Sequence, residues 1–192
     1  MKFKYFLNKA SKTPVQPKTK DELEKIIEDT IKERGYNCDL NFIDTSLIKD
    51  MSYLFAESKF NGDISKWNVS KVENMEGMFK NSYFNGDISK WNVSNVKDME
   101  YMFSDSNFNR DISTWDVSNV KDMFCMFCNS KFNGDISKWD VSNVKDMRSM
   151  FDKSKFNGDI SKWNVSKVNY MYCMFKKSPL EGNEPDWYKK RK

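Results

Sequence analysis

Three features of this 192-residue chain have residue types and spacing that could do chemistry. Cys125-x-x-Cys128 has the spacing of a metal-binding or redox pair. Zinc wants four ligands, and Cys38 and Cys173 lie far away in the chain, with no histidine to help. The cysteine spacing does not read as a disulfide framework, and free thiols suit a reducing compartment. The pair therefore reads as a replacement of small or polar surface residues, with no metal and no cofactor expected. "NGDI" has the Gly-Asp look of calcium-binding β-rolls, but one aspartate per 24 residues cannot supply the roughly six to eight oxygens calcium takes. Asn68-Val69-Ser70 matches a glycosylation sequon. The complete absence of histidine removes the commonest general base. Catalysis needs different groups converging on one place, whereas this chain supplies the same groups again and again. No catalytic residue and no enzyme activity are expected.

The element that must position all these residues is a repeat. Trp67, Trp91, Trp115, Trp139, Trp163 and Trp187 are each 24 residues apart. The period divides the chain into a basic N-terminal segment with a capping helix (1–35), six coils, and a degenerate C-terminal cap with a basic tail (180–192). The coils are 36–59, 60–83, 84–107, 108–131, 132–155 and 156–179. In coil two the apolar slots are Phe60, Ile64, Trp67, Val69, Val72, Met75, Met78 and Phe79. Their equivalents read as apolar throughout, the pattern of coils that bury one another's faces.

Met75, Met78 and Phe79 have i, i+3, i+4 spacing, which predicts a short helical turn in "NMEGMFKNS". "GDIS" predicts a short strand with Ile64 inward, and parallel stacking at about 4.8 Å per coil. The polar columns are equally regular. Asp39 to Asp159 form one, and Asn37 to Asn157 another. A bare Asp column would repel itself, so each carboxylate is expected to accept backbone N–H groups at a turn. The slot of Asn68 exchanges freely with aspartate (Asp44, Asp116, Asp140), which favours the same turn role over glycosylation.

The string "FNGDISKWNVSKVENMEGMF" resembles the repeat of the BspA-like bacterial surface-protein family, a divergent leucine-rich-repeat branch. The resemblance covers residues 36–179. It implies a leucine-rich-repeat-like solenoid with a short parallel strand and a short helical turn per coil. It also implies a bacterial surface or secreted protein acting in binding or adhesion. The chain departs in its start, "MKFKYFLNKASKTP", whose apolar run Tyr5 to Leu7 is shorter than the roughly 7–15 residues of a secretory signal. By sequence alone the protein reads as cytoplasmic, as a mature or truncated chain, or as exported by another route. No stretch predicts a membrane span.

At the N-terminal end, "KDELEKIIEDTIKER" predicts a helix over 20–34, with Thr19 and Glu22 as a capping box and Gly35 past its end. Leu23, Ile26, Ile27, Thr30 and Ile31 line one face, for shielding the first coil or for binding a partner. Pro185 is expected to stop a further coil from pairing. Six lysines in residues 1–20 and four basic groups in 189–192 carry the positive charge, leaving the body acidic and a nucleic-acid groove unexpected. The basic tail is a solvated end or a contact for an anionic surface.

Binding information must sit where the repeats differ. The variable slots are 73, 74, 76, 77, 80, 81 and 83, and most hold polar residues. Tyr53, Tyr101, Phe124, Cys125, Tyr170, Tyr172 and Cys173 are the exceptions. They are candidate contacts for a protein partner or a second copy, or packing between coils. Lys66, Lys90, Lys138 and Lys162 form a column interrupted by Thr114. They either pair with nearby acids or make a basic strip for an acidic ligand. The expected function is a non-catalytic protein-binding or adhesion module. The alternatives are a self-assembling scaffold and, further off, carbohydrate binding through the aromatics.

Overall fold

The computed structural model describes residues 14–190. The N-terminal basic run up to Thr13 and the tail residues Arg191 and Lys192 lie outside the described residues. The chain opens with Val15 bridged to Ile43 of coil one, then helix α1 (Lys20–Arg34). Thr19 caps α1 by accepting the Glu22 N–H at 3.2 Å. The return bond reaches one residue further than a standard box: the Glu22 carboxylate accepts the Lys18 N–H at 2.7 Å. Gly35 ends the helix with φ 84°, a conformation only glycine adopts without strain, and donates to the Ile31 carbonyl. Leu23 and Ile27 are buried in the same core as the first coils, so α1 covers that end of the stack.

The eight inward slots of coils two to five are almost completely excluded from solvent. Coil one departs from the apolar rule at Thr45, which is buried but satisfies its hydroxyl by donating to the Asn68 carbonyl at 2.9 Å. Coil one also leaves Tyr36 half exposed where later coils bury phenylalanine. The rings stack in columns: Trp67 on Trp91 at 6.5 Å and 1° between planes, and Phe79 on Phe103 at 5.7 Å and 6°. Each indole N–H is satisfied by the coil before it, as where Trp91 Nε1 donates to the Ile64 carbonyl at 3.2 Å. A buried donor without an acceptor would cost about 1–3 kcal/mol, so this ladder specifies tryptophan at the slot.

The backbone corrects the expected leucine-rich-repeat-like coil of strand plus helical turn. Among the described residues the helices are α1 and the short α2 (Asp186–Lys189), and β-pairing consists of isolated bridges. In "NMEGMFKNS" the N–H groups of Met75, Gly77, Phe79 and Asn81 donate to Asp98, Glu100, Met102 and Ser104 of the next coil at 2.7–3.0 Å. The alternate N–H groups of Met78 and Lys80 close turns onto Met75 and Gly77. Gly77 (φ 56°) and Asn81 (φ 52°) are left-handed, which no α-helix accommodates. Met75, Met78 and Phe79 still face inward, so the apolar spacing mimicked a helix. The helix is lost because the donors find their acceptors in the next coil rather than four residues back.

"GDIS" is likewise not a repeated strand. It makes one bridge, Asp39 to Asp63, and the recurrent parallel bridge falls elsewhere, at Asp50, Asn74, Asp98, Asp122, Asp146 and Tyr170. From coil three onward the asparagine side chain replaces the backbone acceptor at "FN". The N–H groups of Asn85, Asn109, Asn133 and Asn157 donate to the Oδ1 of the asparagine one coil earlier at 2.8–2.9 Å. A Cβ on Gly62 would lie 1.9 Å from the Cys38 carbonyl oxygen, so the backbones approach too closely there for a side chain. The stack ends in a half coil. Trp187 still donates to the Ile160 carbonyl at 3.0 Å, but Pro185 starts α2, and Tyr188 packs edge-on to Phe175.

Candidate functional site

The aspartates and asparagines behave as the turn argument requires. Asp63, Asp87, Asp111, Asp135 and Asp159 each accept the N–H two residues on at 2.9 Å. Those bonds hold their carboxyls below the usual range. Asn68 and its equivalents do the same for the serine two residues on. A third such column went unread in the sequence. Asp50, Asn74, Asp98, Asp122 and Asp146 each accept the N–H two residues on at 2.8–2.9 Å. The Asn/Asp exchange that marked the Asn68 slot is present here too and was the available signal.

This third column lies beside the residues that differ from coil to coil, and at Asp98 and Asp122 its electrostatics are reversed. Burial pushes the Asp98 and Asp122 carboxyls up. Glu100 is pushed up to about 7, first by burial and then by the charges of Asp122, Glu76, Asp98 and Asp146. Tyr53 donates to the Glu76 carboxylate, which raises the phenol to about 12. Further along, Asp146 is buried and paired with Arg148 at 2.6 Å. The Arg148 guanidinium lies over three rings, Phe124 at 4.8 Å, Tyr170 at 5.5 Å and Tyr172 at 5.6 Å, and donates to the Tyr172 hydroxyl. Arg148, the hub of this cluster, was not among the sequence candidates, because a single arginine in a polar variable slot carries no signal.

The candidate contacts separate accordingly. Tyr53, Tyr170, Tyr172 and Cys173 are exposed, the last two tyrosines each above half of their surface. Tyr101 and Phe124 are half-buried and packed edge-on at 4.9 Å, with Lys80 over the Tyr101 ring. Cys125 is buried. Phe124, Arg148, Tyr170 and Tyr172 thus form one patch, while Tyr53 lies at the opposite end of the strip. Slot 77 is also where the backbone turns left-handed: Tyr53, Tyr101, Cys125 and Cys173 have φ of 52–58°. That conformation is uncommon outside glycine, and of the four side chains Tyr53 and Cys173 are exposed while Tyr101 is half-buried and Cys125 buried. Tyr36 and Leu47 are further exposed apolar residues outside the strip, whereas Tyr83, exposed in variable slot 83, belongs to it and was not among the sequence candidates.

Lys66, Lys90, Lys138 and Lys162 are exposed, and each adds a small attraction to the turn hydrogen bonds that hold down the aspartate three residues before it. Positive and negative columns run side by side there, so the edge is not a uniform basic strip. At the break in the column, Thr114 donates to the Ser89 carbonyl. Among the described residues, no three of His, Cys, Asp and Glu come together as a metal-ligand group. Among the same residues no helix is long and apolar enough to cross a membrane.

Neither a curated protein nor a solved structure matches the chain significantly. A family profile described as "Mycoplasma protein of unknown function, DUF285" matches it twice, over residues 22–131 and 105–189. The two matches reflect the internal repeat and together run from α1 to α2, so the chain belongs to this repeat family of unknown function.

Proposed function

We propose that the protein is a non-catalytic protein-binding module whose contact surface is the patch around Arg148, Tyr170 and Tyr172. The observation that carries this reading is the exposure of Tyr170 and Tyr172, 56% and 59%, on the one arc where the coils differ. Elsewhere the recurring polar groups are occupied in holding the coils together. Large aromatics beside a guanidinium are the residue types that concentrate binding energy at interfaces. The likeness of "FNGDISKWNVS" to BspA-like surface proteins favours an adhesive role at a bacterial surface. The half-buried pairing of Tyr101 with Phe124 moves the contact away from the middle of the strip toward coil six. End-to-end self-assembly is disfavoured, because α1 covers one end of the core and Trp187 with Tyr188 covers the other.

The test is a pull-down from the native cell and its host using the intact chain and a Tyr170→Ser, Tyr172→Ser variant. A specific partner should be retained by the intact chain and lost by the variant, while the melting temperature changes little. Equal capture by both would sink this assignment. Light scattering on the same samples checks self-association.

A further inference from the structure

Cys125-x-x-Cys128 takes no part in the binding patch, yet the structure brings its two ends together. The Cys128 N–H donates to the Cys125 carbonyl at 3.0 Å, closing one turn over the pair. The ends of such a turn lie within about 7 Å between Cα atoms, overlapping the roughly 4.4–6.8 Å of disulfides. The turn is held from both sides. Cys125 N–H donates to the Arg148 carbonyl of coil five at 2.9 Å, and Asp105 N–H of coil three donates to the Cys128 carbonyl at 2.8 Å. Cys125 is buried and Cys128 half-buried, and the two thiols act on each other's acidity. Their interaction pushes the Cys125 thiol up and pulls the Cys128 thiol down, the latter against burial and the charges of Asp152 and Asp105 and with help from Lys153. Cys128 is the more accessible of the two sulfurs and is the one an incoming disulfide meets first. Coil four alone carries thiols at both slots; its neighbours have Tyr101 with Ser104 and Ser149 with Asp152.

We propose that Cys125 and Cys128 form a redox-active dithiol that exchanges with small soluble disulfides and closes to a disulfide across this turn. The Cys128 thiolate attacks one sulfur of the small disulfide, forming a mixed disulfide and expelling one small thiolate, which takes a proton. Cys125 then gives up its proton to solvent and attacks the Cys128 sulfur, expelling the second small thiolate. The pair is oxidised by two electrons and one small disulfide is reduced to two thiols. The backbone, already pinned at both cysteines, needs little movement.

The test uses the full reduced chain equilibrated with oxidised and reduced glutathione, followed by alkylation and peptide mass analysis. The expected product is a single intramolecular link between Cys125 and Cys128, with Cys38 and Cys173 still alkylated as thiols. Cys125→Ser should stop at a glutathione adduct on Cys128. Cys128→Ser should lose the fast reaction, and Cys173→Ser should change nothing. The proposal is overturned if Cys173 is modified while Cys125 and Cys128 stay reduced. It is also overturned if the Cys125→Ser and Cys128→Ser chains, melting as the parent does, give the same adducts at the same rate. A failed pull-down in the binding experiment leaves this result untouched.

Discussion

In coils three and four two arcs put an aspartate into the same kind of turn, yet the two carboxyls end up on opposite sides of their usual acidity. Asp111, in the copied "DISTW" arc, accepts the Ser113 N–H at 2.9 Å and is held down. Asp122, in the arc that varies, accepts the Phe124 N–H at 2.8 Å and is nonetheless pushed up, by burial and then by Asp146 and Asp98. One hydrogen bond is a comparable contribution in both places. What differs is access to water, which is greater at the exposed Asp111 than at the half-buried Asp122. A motif can therefore be copied faithfully for its turn while its charge behaves differently in each setting. The arc that tolerates buried like charges is also the one that holds the aromatic patch and the thiol pair.

The largest expected difference between the arcs lies in the shared core beneath them. Phe103→Ala removes a fully buried ring stacked on Phe79 and Phe127, at a cost of about 3–5 kcal/mol in urea unfolding. A cost below about 1 kcal/mol would mean that the ring column is not what joins the coils. In the copied arc, Asn109→Ala removes the side-chain oxygen that accepts the Asn133 N–H. The expected loss is about 0.5–1.5 kcal/mol, reduced toward the lower end because water can reach the site.

In the varied arc the sign reverses. Glu100, raised from 4.5 to about 7 in the folded chain, binds a proton there that the unfolded chain releases. Its contribution to stability is therefore greatest below about 4.5 and falls as the pH rises toward 7. Glu100→Gln should flatten that decline and raise the melting temperature at pH 8. After allowing for partial exposure, the gain is about 1 kcal/mol at most. The lowered aspartates of the copied arc act oppositely: their contribution is present above their ordinary value near 3.8 and lost as the pH falls through the folded value. A Glu100→Gln variant with an unchanged melting profile between pH 5 and 8 would remove the contrast between the arcs.

Much of this architecture was legible in residue types. The Trp, Phe and Ile columns marked the inward face, and the Asn/Asp exchange at the Asn68 slot marked a turn whose shared property is a side-chain oxygen. The α1 boundaries followed from Thr19, Glu22 and Gly35. Other features were hidden for specific reasons. Gly77 and Asn81 break the helix that Met75, Met78 and Phe79 suggested, but side-chain spacing reports only which residues face inward. Phe124, Tyr170 and Tyr172 stood out as exceptions in the variable slots, but their gathering around Arg148 was hidden because the four residues come from three coils.

The sequence by itself determined the period, the inward columns and most of the turn-closing oxygens, because each depends on side-chain chemistry repeated at a fixed interval. Only the tertiary structure decided where the backbone donors go. An N–H looks the same in every sequence, and here its acceptor is a carbonyl 23 residues further on, as from Met75 to Asp98. Stacking likewise decided which carboxylates lose contact with water and which aromatics gather around Arg148, since both depend on what the neighbouring coil places beside them.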